Sequence, residues 1–243
     1  MALTVQVAGQ PLVLLAERAA FLPACATLLV ADAHFGKAQS FRRQGVPVPA
    51  GTTARNLATL SLLLARTGAR TLVFLGDLLH ARHAHTPMLA RAFVDWRARH
   101  AAVAMTLVRG NHDDRAGDPP AHWGIDVVDE PLAAGAFALR HHPEPVGGHY
   151  VLAGHLHPAA WVGQGPERLR LPCFHFAAQV GVLPAFGGFT GMHPVRPQPG
   201  ERIFVVADDV VRALPVPGGA APPGTAPAAP RGSGHDGLTT LPA

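Results

Sequence analysis

Cysteine is nearly missing: Cys25 and Cys173 are the only two in 243 residues. That excludes a disulfide framework and a cysteine zinc site, and both are expected as small core residues in a reducing compartment. No uncharged apolar run approaches the ~18 residues needed to span a bilayer. Met1 to Gln6 lacks the basic stretch and apolar stretch of a secretory leader. The expected location is the cytoplasm, with no membrane partner. Charged residues are sparse at 15%, but apolar residues make up 48%, which excludes a disordered chain. Large apolar residues fade after Pro215. Residues 215–243 are mostly Pro, Gly, Ala and Ser, too little to offset their ordering entropy, and read as a disordered tail behind one domain over 1–214. No internal repeat is present.

The balance that remains is basic, with a formal charge of +4 and a pI near 10.0. This favours phosphates or nucleic acid as partners. The 15 histidines are many for this length. Most fall in or near five short signatures: Asp32-Ala33-His34, Gly76-Asp77, Gly110-Asn111-His112-Asp113, His141-His142-Pro143 and Gly154-His155-Leu156-His157. Each follows an apolar run, and together they form a far more specific signal than any one alone.

Hydrophobic patterning places these signatures. Residues 3–7 and 11–15 read as a hairpin around Gly9 and Pro11. Thr27 to Ala31 is a short strand stopping at Asp32, and a loop with Lys37, Arg42 and Arg43 follows, closed by Pro47 and Pro49. Leu57, Leu60, Leu63 and Leu64 recur at helical spacing over 53–67, with Gly68 as the stop. Thr71 to Leu75 is a buried strand ending at Gly76-Asp77. Thr86-Pro87 starts a helix whose face carries Leu89, Phe93 and Trp96. Strands are expected at 103–108, 125–128, 136–139 and 150–153, with an irregular or short helical link over 114–124. Short apolar pieces over 160–191 read as antiparallel β structure, and 203–207 with 210–214 as a hairpin. The pattern is α/β with two packed sheets, and the signatures share the strand-end edge where ligands sit.

A mixed Asp, Asn and His set suits two transition-metal cations better than magnesium alone. Two such cations ~3.5–4 Å apart need a shared carboxylate between them, and they activate water near a phosphate. Asp77 is the candidate bridge. Asn111 offers an amide oxygen as ligand, leaving His112 as the imidazole that assists the leaving oxygen. Asp113 is expected to orient His112. The cofactor expected is a pair of divalent cations, manganese ahead of Fe, Zn, Co, Ni or Mg.

The five signatures resemble those of the calcineurin-like metallophosphoesterase superfamily, over roughly Thr27 to Pro158. The resemblance implies a β-sandwich flanked by helices in four αββα layers. It implies one metal on Asp32, His34, Asp77 and His157, and a second on Asp77, Asn111, His141 and His155. His141 and His142 compete for one position, since neighbours in an extended segment face opposite ways; Leu139-Arg140-His141-His142-Pro143 favours His141. A narrower likeness runs through Ala31-Asp32-Ala33-His34-Phe35-Gly36-Lys37, Phe41 to Pro49, Gly76-Asp77-Leu78-Leu79-His80, Ala153 to Pro158 and Pro184 to Gly191. This is similar to the bacterial ligase-associated DNA damage response endonucleases (PdeM). It implies a DNA endonuclease with a DNA ligase and a helicase as repair partners; the motifs themselves leave open a phosphoesterase acting on nucleotides or small phosphoesters, or a non-catalytic metal-binding scaffold. Ala33 stands where that family more often has a larger apolar residue.

Other residues leave choices open. Lys37, Arg42 and Arg43 either grip substrate phosphates or form a solvated basic loop. Arg109 either meets a phosphate or pairs with an acidic residue to support its loop. His80 is a candidate neighbour of the metals, while His83 and His85 read as exposed helix-entry residues. Gly187, Gly188 and Gly191 read as tight turns. Trp96, Trp123 and Trp161 share no spacing and read as packing residues, not a stacking platform. Glu130 and Asp95 fit no pattern.

Overall fold

The computed structural model describes residues 1–216, apart from 44, 49–50, 82–85 and 189. The expected tail over 217–243 and the expected exposure of His83 and His85 lie outside the described residues.

The first sheet starts as an antiparallel meander of β1 (Leu3–Val7), β2 (Gln10–Leu15), β3 (Ala19–Leu22) and β4 (Thr27–Val30). It continues in parallel through β5 (Thr71–Leu75), β6 (Ala104–Val108) and β7 (Asp126–Val128). Helices α1 (Lys37–Arg43), α2 (Thr52–Thr67), α3 (Pro87–Arg99) and α4 (Asn111–Ala116) fill the crossovers. The second sheet comprises β8 (Leu132–Ala134), β9 (Phe137–Leu139), β10 (Tyr150–Ala153), β11 (Pro158–Val162), β12 (Leu169–Phe176), β13 (Val180–Val182), β14 (His193–Pro194), β15 (Arg202–Ala207) and β16 (Val210–Leu214).

Local chemistry explains the helices. In α2 the leucines at 57, 60, 63 and 64 are all buried, and Gly68 ends the helix in the left-handed region with its N–H on the Leu64 carbonyl. In α3 the Thr86 hydroxyl accepts from the Leu89 N–H, and Pro87 fills the first helical position. Their apolar faces, with Trp96 of α3 and nearby Trp123, pack on Leu28, Leu72, Phe74 and Leu107 of the first sheet. The other face of that sheet meets the second sheet through Leu29, Val73, Leu75 and Val108 against Leu139, Leu152, Phe174 and Phe176.

The expected α/β sandwich with flanking helices is therefore present. All α-helices among the described residues precede residue 117 and flank the two sheets. The chain from 130 to 216 runs in short strands broken by Gly and Pro.

Several local expectations change. The loop after Asp32 is instead the short helix α1, too brief to show periodicity, held by Gln39 and Ser40 N–H groups on the Gly36 carbonyl. The strands at 19–22 and 132–134 are alanine-rich and gave little β signal. The 160–191 region is mixed, because β13 runs parallel to β10 while β12 pairs antiparallel with β11 and β13. Cys173 is buried as expected, but Cys25 is exposed. Trp96 and Trp123 are buried, whereas Trp161 is 44% exposed and is not a core residue.

Candidate active site

Parallel strands from both sheets end at one edge. Asp32, Asp77 and Asn111 follow β4, β5 and β6; His141 and His155 follow β9 and β10; His157 immediately precedes β11. Four of these positions, and His34 (φ 45°), have left-handed backbone: Asp32 (φ 52°), Asp77 (φ 53°), His155 (φ 71°) and His157 (φ 47°). Such conformations cost of order 1–3 kcal/mol each and persist where surrounding contacts over-determine them, commonly at functional sites. Glycines let the loops close. A Cβ on Gly110 would stand 2.5 Å from Asp77 Oδ1, so no side chain fits there.

Two groups of polar atoms result. In the first, His157 Nε2 lies 3.4 Å from Asp32 Oδ1, and His34 Nε2 lies 3.7 Å from Asp77 Oδ2. In the second, His141 Nε2 lies 3.0 Å from Asn111 Oδ1, 3.1 Å from His155 Nδ1 and 3.5 Å from Asp77 Oδ1. Asp77 therefore stands between the groups. Backbone carbonyls set the tautomers: His141 Nδ1–H donates to Leu75 O at 3.0 Å, and His157 Nδ1–H to Gly191 O at 3.1 Å. Each ring thus turns its Nε2 lone pair inward. In the second group that lone pair faces two further acceptors, Asn111 Oδ1 and Asp77 Oδ1, an arrangement that a cation reconciles. Among the described residues, buried His34 Nδ1 and His157 Nε2 have no hydrogen-bond partner. The donor set and its geometry therefore fit metal ions.

The electrostatics agree. Burial pushes the Asp77 carboxyl up to about 6, and the nearby Asp32 charge adds to this against the N–H of His112. Burial pushes His34 down to about 2, helped by the positive charge of Lys37. Burial also lowers His141 and His155. Each buried group is driven toward its neutral form, and a bound cation would favour the carboxylate and hold neutral imidazoles as ligands.

His112 sits at the rim, its side chain 33% exposed. Its Nδ1–H donates to the His80 carbonyl at 3.0 Å, leaving Nε2 free 3.9 Å from Asp77 Oδ2. The His80 ring stacks on it at 5.5 Å and meets His34 edge-on at the same separation, so His80 belongs to the site. Asp113 does not orient His112. Its buried carboxylate accepts from the N–H groups of Asp77 (2.7 Å), Gly110 (3.0 Å) and Leu79 (3.3 Å), so it braces the loops carrying Asp77 and Asn111.

The basic residues divide. Lys37, the chain's only lysine, is partly buried at the start of α1, lowered by burial against the pull of Asp77 and Asp32. Arg42 donates to the Val48 carbonyl, and Arg43 is exposed at the helix end. Arg109 pairs with Asp118 at 3.0 Å and with Asp129, which is the loop-supporting alternative and leaves the guanidinium engaged by acids, not directed to a phosphate. Its pKa is raised by the Asp118 hydrogen bond. Gly187 packs its N–H on the Asp32 carbonyl at 3.1 Å, so the 187–191 turn supports the first motif.

Glu130 is the residue that the sequence pattern missed. Its Oε2 accepts from the N–H groups of His141 (2.7 Å) and His142 (3.0 Å), and its Oε1 from His142 Nδ1–H and Arg140, both at 3.0 Å. It holds His142 outward, where the side chain is 36% exposed, while His141 is fully buried among the acceptors. Burial raises its carboxyl, but hydrogen bonds from Arg140, His142 and His141 outweigh this and hold it at about 2. No fixed spacing links Glu130 to these partners, so only the fold shows the contact.

No protein-family model matches the chain, and no curated protein sequence matches it. Among solved structures, the crystal structure of the Pseudomonas putida nuclease MPE is 45% identical, with a TM-score of 0.79 over 88% of this chain and 100% of that one. The E. coli phosphoesterase Yfce is 17% identical, with a TM-score of 0.36 over 76% of this chain and 90% of that one, too loose a superposition to bear on the site. No helix among the described residues is long and apolar enough to cross a membrane. At that identity and coverage with MPE, the chain belongs to the metallophosphoesterase nuclease family, whose members are hydrolases of phosphoester bonds.

Proposed function

We propose that the protein is a two-metal phosphodiesterase that cuts DNA. The observation that carries this is the pair of adjoining ligand groups sharing Asp77 between them. Asp32, His34, Asp77 and His157 would hold one cation, and Asp77, Asn111, His141 and His155 the other. Manganese suits this mixed oxygen and nitrogen set, with Fe, Zn, Co, Ni or Mg as substitutes. When bound, the cations supply charge neutralisation and a nucleophile at neutral pH.

The chain's own groups do the rest. His112, with Nδ1 tied to a carbonyl, presents Nε2 at the rim as a proton donor to the leaving oxygen once protonated. Lys37 adds positive charge beside the phosphate position. Glu130 and Asp113 keep His141 and the Asp77 loop in place. The identity to a nuclease supports DNA as substrate. A repair setting with a DNA ligase and a helicase rests on the motif resemblance alone, as does a cytoplasmic location.

The test is hydrolysis of single-stranded, nicked and duplex DNA with added manganese, beside a chromogenic diester and a monoester, with Asp77→Ala as background. DNA cleavage by the wild type and none by Asp77→Ala is expected. Turnover of the small esters alone would remove the DNA assignment, and activity retained in Asp77→Ala under metal-defined conditions would remove the mechanism.

A further inference from the structure

The strand leading out of the candidate active site carries a second feature. From His157, β11 runs to Trp161, roughly 13 Å away at about 3.3 Å per residue. The segment is tied to the site, because the His193 N–H donates to the His157 carbonyl at 3.0 Å and β14 then pairs with β11. Trp161 is 44% exposed, and Leu156 and Leu169 in the same stretch are 44% and 63% exposed. The Arg168 guanidinium lies 4.9 Å from the centre of the Trp161 ring, and that of Arg170 lies 5.9 Å away.

Beside this ring is an open cavity of about 760 Å³. Its floor is apolar, including Ala160, Val195 and Ile203; Trp161, Arg168 and Arg196 form its polar and aromatic wall, and no carboxylate lines it. Arg168, Arg170 and Arg196 are exposed, and none lies within salt-bridge distance of a carboxylate among the described residues. Arg66, Arg109 and Arg140 are all paired with acids. The half-exposed indole thus carries guanidinium groups over its ring that have no carboxylate partner among the described residues. It matches the chemistry of a nucleotide, with an aromatic face for the base and cations for the phosphates.

We propose that this surface docks the substrate strand beyond the scissile phosphate, with an unstacked base on Trp161 and flanking phosphates on Arg168, Arg170 and Arg196. The proposal rests on the DNA reading above and extends it to a binding surface outside the metal ligands. A base inside a duplex cannot offer its face to the ring, so the surface selects a locally unpaired strand.

The experiment compares the manganese-loaded full chain with Trp161→Ala, Trp161→Phe and the double variant Arg168→Ala/Arg170→Ala. Each is assayed on an unstructured oligodeoxynucleotide and on bis-p-nitrophenyl phosphate. Trp161→Ala should raise KM for the oligonucleotide about tenfold to a hundredfold and leave turnover of the small diester unchanged, with Trp161→Phe restoring most of the loss. The double variant should flatten the dependence of log affinity on log salt by about 1.4, from ~0.7 per lost phosphate contact. Wild-type KM in Trp161→Ala would overturn the docking surface while leaving the nuclease reading intact. Equal losses on both substrates would also overturn it, by showing distortion of the site. A wild type that hydrolyses the small diester but neither binds nor cuts DNA would overturn the nuclease reading and the surface with it.

Discussion

Replacing Gly76 with alanine should disable the site while leaving the fold in place. A Cβ there would stand 2.1 Å from His141 Nδ1 and 2.4 Å from its Cγ, on a backbone with φ of +76°. The imidazole would have to retreat by more than an ångström to restore ordinary contact. It would then lose its bond to the Leu75 carbonyl and carry Nε2 away from Asn111 and Asp77. The backbone strain costs about 1–2 kcal/mol, and the orphaned buried polar groups about 1–3 kcal/mol. At about 2–4 °C per kcal/mol for a chain of this size, the melting temperature should fall by roughly 4–20 °C. Activity should fall at least about 100-fold, since metal ligands tolerate only tenths of an ångström and misplacement of that order is costly. Gly135→Ala is the control, because Gly135 has a similar φ of +62° with nothing within 4 Å of the added Cβ. It should show the strain alone, about 1–2 kcal/mol, with full activity. Manganese-dependent diester hydrolysis and thermal denaturation of both variants decide the matter. Equal activity in the two would refute the claim that Gly76 is needed to admit His141.

Other predictions follow from the same network. Glu130 is held at about 2, below its usual 4.5, so its stabilisation is present above about pH 4.5 and is lost as pH falls through about 2. Glu130→Gln should therefore cost about 2 kcal/mol at pH 7, allowing for solvent at this partly exposed group, and the gap to wild type should narrow below pH 4.5 in denaturant titrations; a constant gap would count against it. Metal should compete with a proton on Asp77, pushed up to about 6, and not with one on His34, His141 or His155, which are pushed down. Manganese affinity measured by calorimetry should thus be flat above about pH 7 and fall up to about tenfold per unit below 6; a fall already complete by pH 7 would assign the proton elsewhere. Chelation should lower the melting temperature by roughly 5–11 °C relative to protein with metal at about 100 times its Kd, and no shift would argue against metal binding. His112→Ala should slow DNA cleavage about 10²–10⁴-fold but affect a nitrophenyl diester much less, since that leaving group needs no proton; equal losses would point to a role in binding.

The secondary structure near the site was legible because its signals are local. The leucines of α2, the Thr86-Pro87 cap of α3 and the apolar runs of β4, β5 and β6 act through neighbours a few residues away. The alanine-rich strands β3 and β8 were not legible, since their pairing partners, not their own residues, make them strands. The residues with ligand chemistry were visible as motifs. What each one touches was not: Asp113 meets backbone amides up to 36 residues away, and Glu130 reaches His141 with no recurring spacing.

By itself, the sequence determined the inventory of donors, their order along the chain and the strand ends that carry them, because residue type and short-range patterning suffice for these. Tertiary structure decided the rest. It selected His141 over His142 for the buried position, through a carbonyl 66 residues away and a carboxylate 11 residues away. It bent five ligand positions into left-handed backbone, and left Trp161 half-exposed beneath two arginines while burying Trp96 and Trp123. These outcomes depend on which distant segments the two sheets bring together at one edge, and no local pattern encodes that.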